Sequence, residues 1–362
     1  VKTNKAKVMK VLLIGQNYAS VINSLSIGFD QIEGIKARAI SLDRFTSHYN
    51  NYGNYFYKTV SSNKGRIPYF LSKFIGFIVF LYLLIWCDLV HVYFLPSDTE
   101  SKKLEHLLIN LFCRRKVVTF MGSEVRVPQI ASMKNPYFSE AYSNPLYEYK
   151  TETLENSHRI QELYASDNYK LVIWDVESYI DSSLFNDIRI VPHASINSFK
   201  PEEITLDSSI LVVHSPSAPI AKGTAIIKAA MEEVISNFPN VTFKILEGIS
   251  NSEYQRYLAQ SDILVDQMVW GGYGVAAQQA MEMGKIVCAY FNEDRKVLYG
   301  PNCPIVNITK ETFFERIEEL ILQPGYMKKI KEASVRYYRD IHHPKQVANK
   351  MKSAYLSFFY GN

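Results

Sequence analysis

Residues 270–287 read WGGYGVAAQQAMEMGKIV: a loop of three glycines, an apolar helical pattern, a Gly-Lys stop and a β-branched run. Gly271, Gly272 and Gly274 precede VAAQQAMEM, and Gly284 and Lys285 end it before Ile286 and Val287. A glycine loop that opens a helix leaves backbone N–H groups unpaired, with the positive end of the helix dipole behind them. Such a turn suits an anion, above all a phosphate, although an ordinary strand-to-helix turn has the same pattern. A second stretch, HSPSAPIAKGT from His214 to Thr224, also joins a β run to a helix. Two such turns in one α/β half-chain can converge on one ligand.

The 362 residues suffice for two ordinary domains, and at 47% hydrophobic and 21% charged they can fill two cores. A net charge of +4 is too small to argue for nucleic acid, and none is expected as a partner. Cys87, Cys113, Cys288 and Cys303 are scattered, with no C-x-x-C pair, and read as buried thiols of a reducing compartment. VKTNKAKVMK leads straight into a strand, with no signal-peptide pattern, so the expected localisation is cytoplasmic. The uncharged run Phe74 to Trp86, FIGFIVFLYLLIW, falls short of the roughly 20 apolar residues that span a bilayer. It reads as a helix buried on a parallel sheet, or as one whose exposed face dips into a membrane surface, with Lys102, Lys103, Arg114, Arg115 and Lys116 nearby.

Strand and helix patterns alternate along the chain. Strands are expected at Val8–Ile14, ending in Gly15, then at Ala37–Leu42, Leu89–Phe94, Val117–Phe120, Lys170–Trp174 and Asp187–Val191. Thr46–Lys64 and the Tyr- and Pro-rich Asn135–Tyr149 read as loops. In the second half, strands are expected at Ile210–Val213, Val241–Leu246, Ile263–Val265, Ile286–Tyr290 and Ile305–Val306. Single helices are expected at Lys222–Ser236 and Pro344–Phe359, among others. Pro192, His193 and Asn197–Pro201 mark a linker, giving domains 1–196 and 197–343 and a terminal helix, 344–362, that crosses back to the first. No GxGxxG follows the first strand, against a nicotinamide or flavin cofactor.

The chain resembles the retaining glycosyltransferases of family four. The resemblance is carried by HSPSAPIAKGT, FKILEGISNSEY (Phe243–Tyr254), DILVDQ (Asp262–Gln267), GGYGVAAQQAMEMGKIV, TFMGSEVR (Thr119–Arg126) and VPHASINSFKPEE (Val191–Glu203), about two thirds of the chain in all. It implies an α/β protein of GT-B fold, with two Rossmann-like parallel-sheet domains facing across a cleft. It also implies retaining, metal-independent transfer from a nucleotide-sugar donor, with no separate cofactor, to a glycan or lipid-linked acceptor at the inner membrane face.

The resemblance makes Lys222 the residue that neutralises the leaving phosphate and Gln279 the residue at the ribose. Glu247 and Gly248 would border the base, and Gly272, Tyr273 and Gly274 would present backbone N–H groups. Gly15 and Ser217 complete the donor set, and Glu124 is the candidate catalytic carboxyl of the first domain, or a brace for the Gly122 turn with Arg126. Three positions depart from the family's pattern: Pro219 stands for an arginine, Gln279 for a glutamate and Met121 for a histidine. They leave two other readings open, a catalytically silent GT-B partner subunit and a 2-epimerase-like enzyme. His91, His193, Asp175 and Glu177 are further polar candidates at strand ends.

Overall fold

The computed structural model describes residues 8–15, 20–41, 69–93, 100–197 and 209–361. The expected loop Thr46–Lys64 and the linker beyond Asn197 lie outside them. The chain forms two compact units, one of Val1–Arg126, Glu155–Ser195 and His343–Asn362, the other of Val127–Leu154 and Ile196–His342.

In chain order the elements run β1 (Met9–Gly15), α1 (Val21–Asp30), β2 (Ile35–Ser41), α2 (Tyr69–Trp86), β3 (Leu89–Tyr93), α3 (Glu100–Phe112) and β4 (Lys116–Thr119). Then come α4 (Pro128–Lys134), α5 (Pro136–Ser143), α6 (Leu154–Ser166), β5 (Lys170–Ile173), β6 (Ile188–Ile190) and β7 (Ile210–His214). They continue with α7 (Pro219–Lys222), α8 (Thr224–Asn237), β8 (Val241–Ile245), α9 (Asn251–Gln260), β9 (Ile263–Val265) and α10 (Val275–Glu282). The chain closes with β10 (Ile286–Ala289), α11 (Glu293–Tyr299), β11 (Val306–Asn307), α12 (Phe313–Leu322), α13 (Pro324–Tyr337) and α14 (Pro344–Tyr360).

The first unit holds a six-stranded sheet of order β2-β1-β3-β4-β5-β6, parallel throughout. Val11, Leu12, Leu13 and Ile14 of β1 are all buried, as a strand covered on both faces requires. Gly28 of α1 lets α14 come close: a Cβ there would stand 2.2 Å from the Pro344 carbonyl oxygen. From α14, Tyr355 reaches the sheet, its hydroxyl 2.7 Å from His91 Nδ1. The second unit holds a parallel sheet of order β11-β10-β9-β7-β8. Both units are therefore doubly wound α/β layers, the GT-B class expected of the chain.

Two expectations are corrected. The helix expected over Lys222–Ser236 begins at Thr224 as α8, because Gly223 adopts a left-handed backbone (φ 77°) that ends the four-residue α7 at Lys222. Within Asn135–Tyr149, expected as loop, residues 136–143 form α5: Pro136 opens it, the Asn135 side chain accepts the Tyr137 N–H at 3.0 Å, and Tyr137, Phe138 and Ala141 are buried. Between the two readings left open for the apolar run, α2 buries Phe80, Leu83 and Leu84 and leaves Phe74, Ile78, Tyr82 and Ile85 exposed, so it is not enclosed on the sheet. All four cysteines are free, Cys113 and Cys288 buried and Cys87 and Cys303 half-buried, and the 3.7 Å approach of Cys87 to Cys113 sets the C-terminal ends of α2 and α3 side by side.

Candidate anion site

In the second unit the chain winds from β7 outward to β8 on one side, then back to β9 on the other. The crevice outside the carboxyl ends of these two neighbours is the switch point at which open α/β sheets hold ligands. Lys222 arrives there from the turn after β7, and Asp266 and Gly274 from the turn after β9. The Lys222 ammonium donates to Asp266 Oδ1 at 2.6 Å, with the two side chains 7% and 1% exposed. Asp266 Oδ2 accepts the Gly274 N–H, also at 2.6 Å. Gly274 is the N-cap of α10, so this carboxylate sits on the positive end of that helix. A Cβ on Gly274 would lie 3.5–3.8 Å from both carboxylate oxygens and the Lys222 ammonium, filling the space beside the pair.

The loop before α10 is fixed by Gln267, whose Oε1 accepts the Trp270 N–H at 2.7 Å. Its Nε2 donates to the Gly272 and Tyr290 carbonyls. His214 closes β7 from behind: its ring nitrogens lie 2.8 Å from the Val265 carbonyl and 2.9 Å from the Thr224 hydroxyl. Burial lowers it to about 4, so it is neutral at pH 7 and adds no charge to the crevice. At the start of α7, the Glu148 carboxylate accepts the Ile220 N–H at 2.8 Å and the Ala221 N–H at 3.1 Å. A carboxylate of this chain thus already sits at each of the two turns.

The remaining donor candidates of this unit fall into two groups. Gln279 is buried on α10, and the Tyr254 hydroxyl donates to its Oε1 at 3.1 Å. Ser217, Glu247 and Gly248 are exposed at the carboxyl ends of β7 and β8. Tyr273 turns its side chain away into a buried cluster, its hydroxyl 2.8 Å from His342 Nε2 and 3.3 Å from the Tyr337 hydroxyl. Its N–H reaches the Tyr299 hydroxyl at 3.4 Å.

In the first unit, Glu124 is buried after β4 and its Oε1 accepts the Met121 N–H. Burial raises its carboxyl to about 7, against the opposing pull of backbone amides and Arg126. Its Oε2 is buried without a hydrogen-bond partner among the described residues. Gly15, at the end of β1, has no room for a side chain, since a Cβ would stand 1.8 Å from the Tyr93 carbonyl oxygen. His91 is fully buried between Tyr355 and Thr119 and is lowered by desolvation to about 3. His193 is lowered by burial to about 4. Asp175 follows β5 with a left-handed backbone (φ 69°), and Glu177 opens a single 3₁₀ turn. Among the described residues, no group of three or more His, Cys, Asp or Glu is placed to hold a metal ion.

Sequence reasoning missed Asp266 and Glu148. Asp266 had a readable signal, an acidic residue straight after the apolar run ILV at a parallel strand's carboxyl end. Glu148 had none, because it lies in a tyrosine-rich segment without periodicity.

No protein-family model matches the chain. No curated protein matches it either. Solved structures do. A sucrose-phosphate synthase from Thermosynechococcus elongatus is 12% identical at a TM-score of 0.58, over 98% of this chain and all of that one. A glycosyltransferase from Rickettsia africae is 14% identical at 0.56, over 99% of this chain and all of its own. A UDP-GlcNAc 2-epimerase from Neisseria meningitidis, bound to UDP-GlcNAc, is 12% identical at 0.50, over 96% of this chain and all of its own. At such identities the likeness is one of fold, two doubly wound units of the GT-B type.

Proposed function

We propose that the chain is a glycosyltransferase that uses a nucleotide-sugar donor. The supporting observation is the meeting of Lys222, Asp266 and Gly274 at the switch point between β7 and β9. An ammonium has three N–H donors, and Asp266 engages one. Two remain for the phosphate oxygens of a departing nucleotide, whose growing charge the ammonium and the α10 dipole would stabilise. Gln279 would accept a ribose hydroxyl, Ser217 would border the phosphates, and Glu247 and Gly248 the base. Glu124, raised to about 7, is a carboxyl that can hold or release a proton at neutral pH. The reaction in this reading is retaining and metal-independent, and the acceptor is a glycan or a lipid-linked sugar at the cytoplasmic membrane face.

A second reading, a silent partner of an active transferase, is favoured by one feature: Asp266 already matches the charge of Lys222. Calorimetry and thermal shift against UDP, GDP, ADP and CMP separate the two. A ligand at a hundred times its Kd adds about 2.7 kcal/mol of stability. The expected result is binding of one nucleotide, lost in Lys222→Ala. Because that variant strands a buried Asp266, Pro219→Arg supplies an independent arm. Pro219 is exposed at the first turn of α7, and a cation there should tighten a diphosphate about tenfold. A folded chain that binds none of the four nucleotides would leave the silent-partner reading standing.

A further inference from the structure

The first unit carries an apolar surface that transfer chemistry does not explain. Helices α2 and α3 expose large apolar side chains along matching stripes, including Phe74 (62% exposed), Ile85 (70%), Leu107 (65%) and Leu111 (76%). Ile78 and Leu104 continue the stripes, at the i, i+3, i+4 spacing of one helix face. The 3.7 Å approach of Cys87 and Cys113 joins the C-terminal ends of the two helices, so the stripes lie on neighbouring elements. Large apolar side chains exposed on two neighbouring helices mark a contact site.

The rim of the surface names the partner. At the C-terminal end of α2, Arg38 stacks on Trp86 at 4.6 Å and on Tyr82 at 5.8 Å, and Lys10 lies 5.8 Å over Trp86. Just past α3, Arg114 is exposed and Arg115 stacks on Tyr360 at 4.6 Å. Beside these four cations, Asp88 accepts the Lys10 backbone N–H at 2.9 Å. Apolar stripes edged by aromatic rings and basic side chains match a bilayer's acyl boundary and its anionic headgroups. A second copy of the chain is a poorer fit, because a two-fold contact through this face would set arginine rims against each other. No helix among the described residues is long and apolar enough to cross a membrane.

We infer that the α2–α3 face docks the chain flat on an anionic lipid surface. This rests on the membrane-face element of the reading above, not on the transfer chemistry. The test is flotation of the full chain with vesicles of phosphatidylcholine alone or mixed with phosphatidylglycerol. Wild type should float with the anionic vesicles, less so as salt rises. Leu107→Glu/Leu111→Glu, at two exposed positions, should abolish flotation. Arg114→Glu/Arg115→Glu should weaken it about 25-fold or more, at about fivefold per basic residue. Wild type remaining with the soluble fraction would overturn the inference, as would flotation indifferent to both variants. A dimer in sedimentation that Leu107→Glu/Leu111→Glu dissolves, without flotation, would assign the face to a second copy. Nucleotide calorimetry on the same variants keeps the readings apart: flotation without nucleotide binding retains the surface and removes the transferase.

Discussion

The two sheets share one winding order but meet their switch points differently. In the first unit β1 and β3 part at Gly15, which is pressed against the Tyr93 carbonyl. In the second unit β7 and β9 part around a buried ion pair that also engages a helix-terminal amide. One fold can thus spend its switch point on close backbone packing or on charge. The fold alone does not tell which, and the residues at the strand ends do. The donor chemistry proposed above draws on the second unit, while Gly15 packs against the Tyr93 carbonyl.

Gly15→Ala is the strongest way to break this contrast. With a Cβ 1.8 Å from a carbonyl oxygen, β1 and β3 have to separate. The expected loss is roughly 5 kcal/mol, or failure to fold. Chemical denaturation reads it, and a loss under about 1 kcal/mol would show that the strand ends relax and free Gly15 for a ligand role.

Asp266→Ala comes next. It strands the Lys222 charge and the Gly274 N–H together, at an expected cost of roughly 3–4 kcal/mol. The double variant Lys222→Met/Asp266→Asn removes the charge while keeping an acceptor for Gly274, and should cost less than Asp266→Ala alone. Equal losses would mean that the pair is not coupled.

Most of this architecture was legible in the sequence, and the reasons are local. Parallel strands buried on both faces announce themselves as runs such as VLLI and LVHVY, and Pro344 marks the start of α14. The split at Gly223 was not legible, because a glycine at that point is equally compatible with one helix. Whether α2 is covered on every side was left open for a related reason: a helix apolar all round gives no clue to which face is covered. The Lys222–Asp266 pair joins residues 44 apart, and no spacing rule connects them.

The pH response also separates the units. Glu124 in the first unit and Glu282 in the second are both raised by burial from 4.5 to about 7. A carboxyl whose folded pKa lies above its unfolded one contributes stability that is complete below about pH 4.5. That contribution is lost as pH rises through about 7. Stability should therefore fall across that window. Glu124→Gln should remove about 3 kcal/mol of that fall, by 1.36 kcal/mol per pKa unit, while the part from Glu282 remains. A slope unchanged in Glu124→Gln would show that this carboxyl is ionised in the fold at no cost.

Gln279→Glu has the smallest expected effect and bears on the ligand side of the comparison. The buried Gln279 Oε1 accepts the Tyr254 hydroxyl at 3.1 Å, a bond that a carboxylate keeps. A carboxylate would also accept a ribose hydroxyl more strongly, but burial raises its pKa and offsets part of the gain. The net expectation is about two- to fivefold tighter binding of a nucleoside diphosphate, with no change for inorganic pyrophosphate. Calorimetry with both ligands distinguishes the cases. An equal gain for pyrophosphate, or none for the nucleotide, would remove Gln279 from the ribose and leave it as a packing partner of Tyr254.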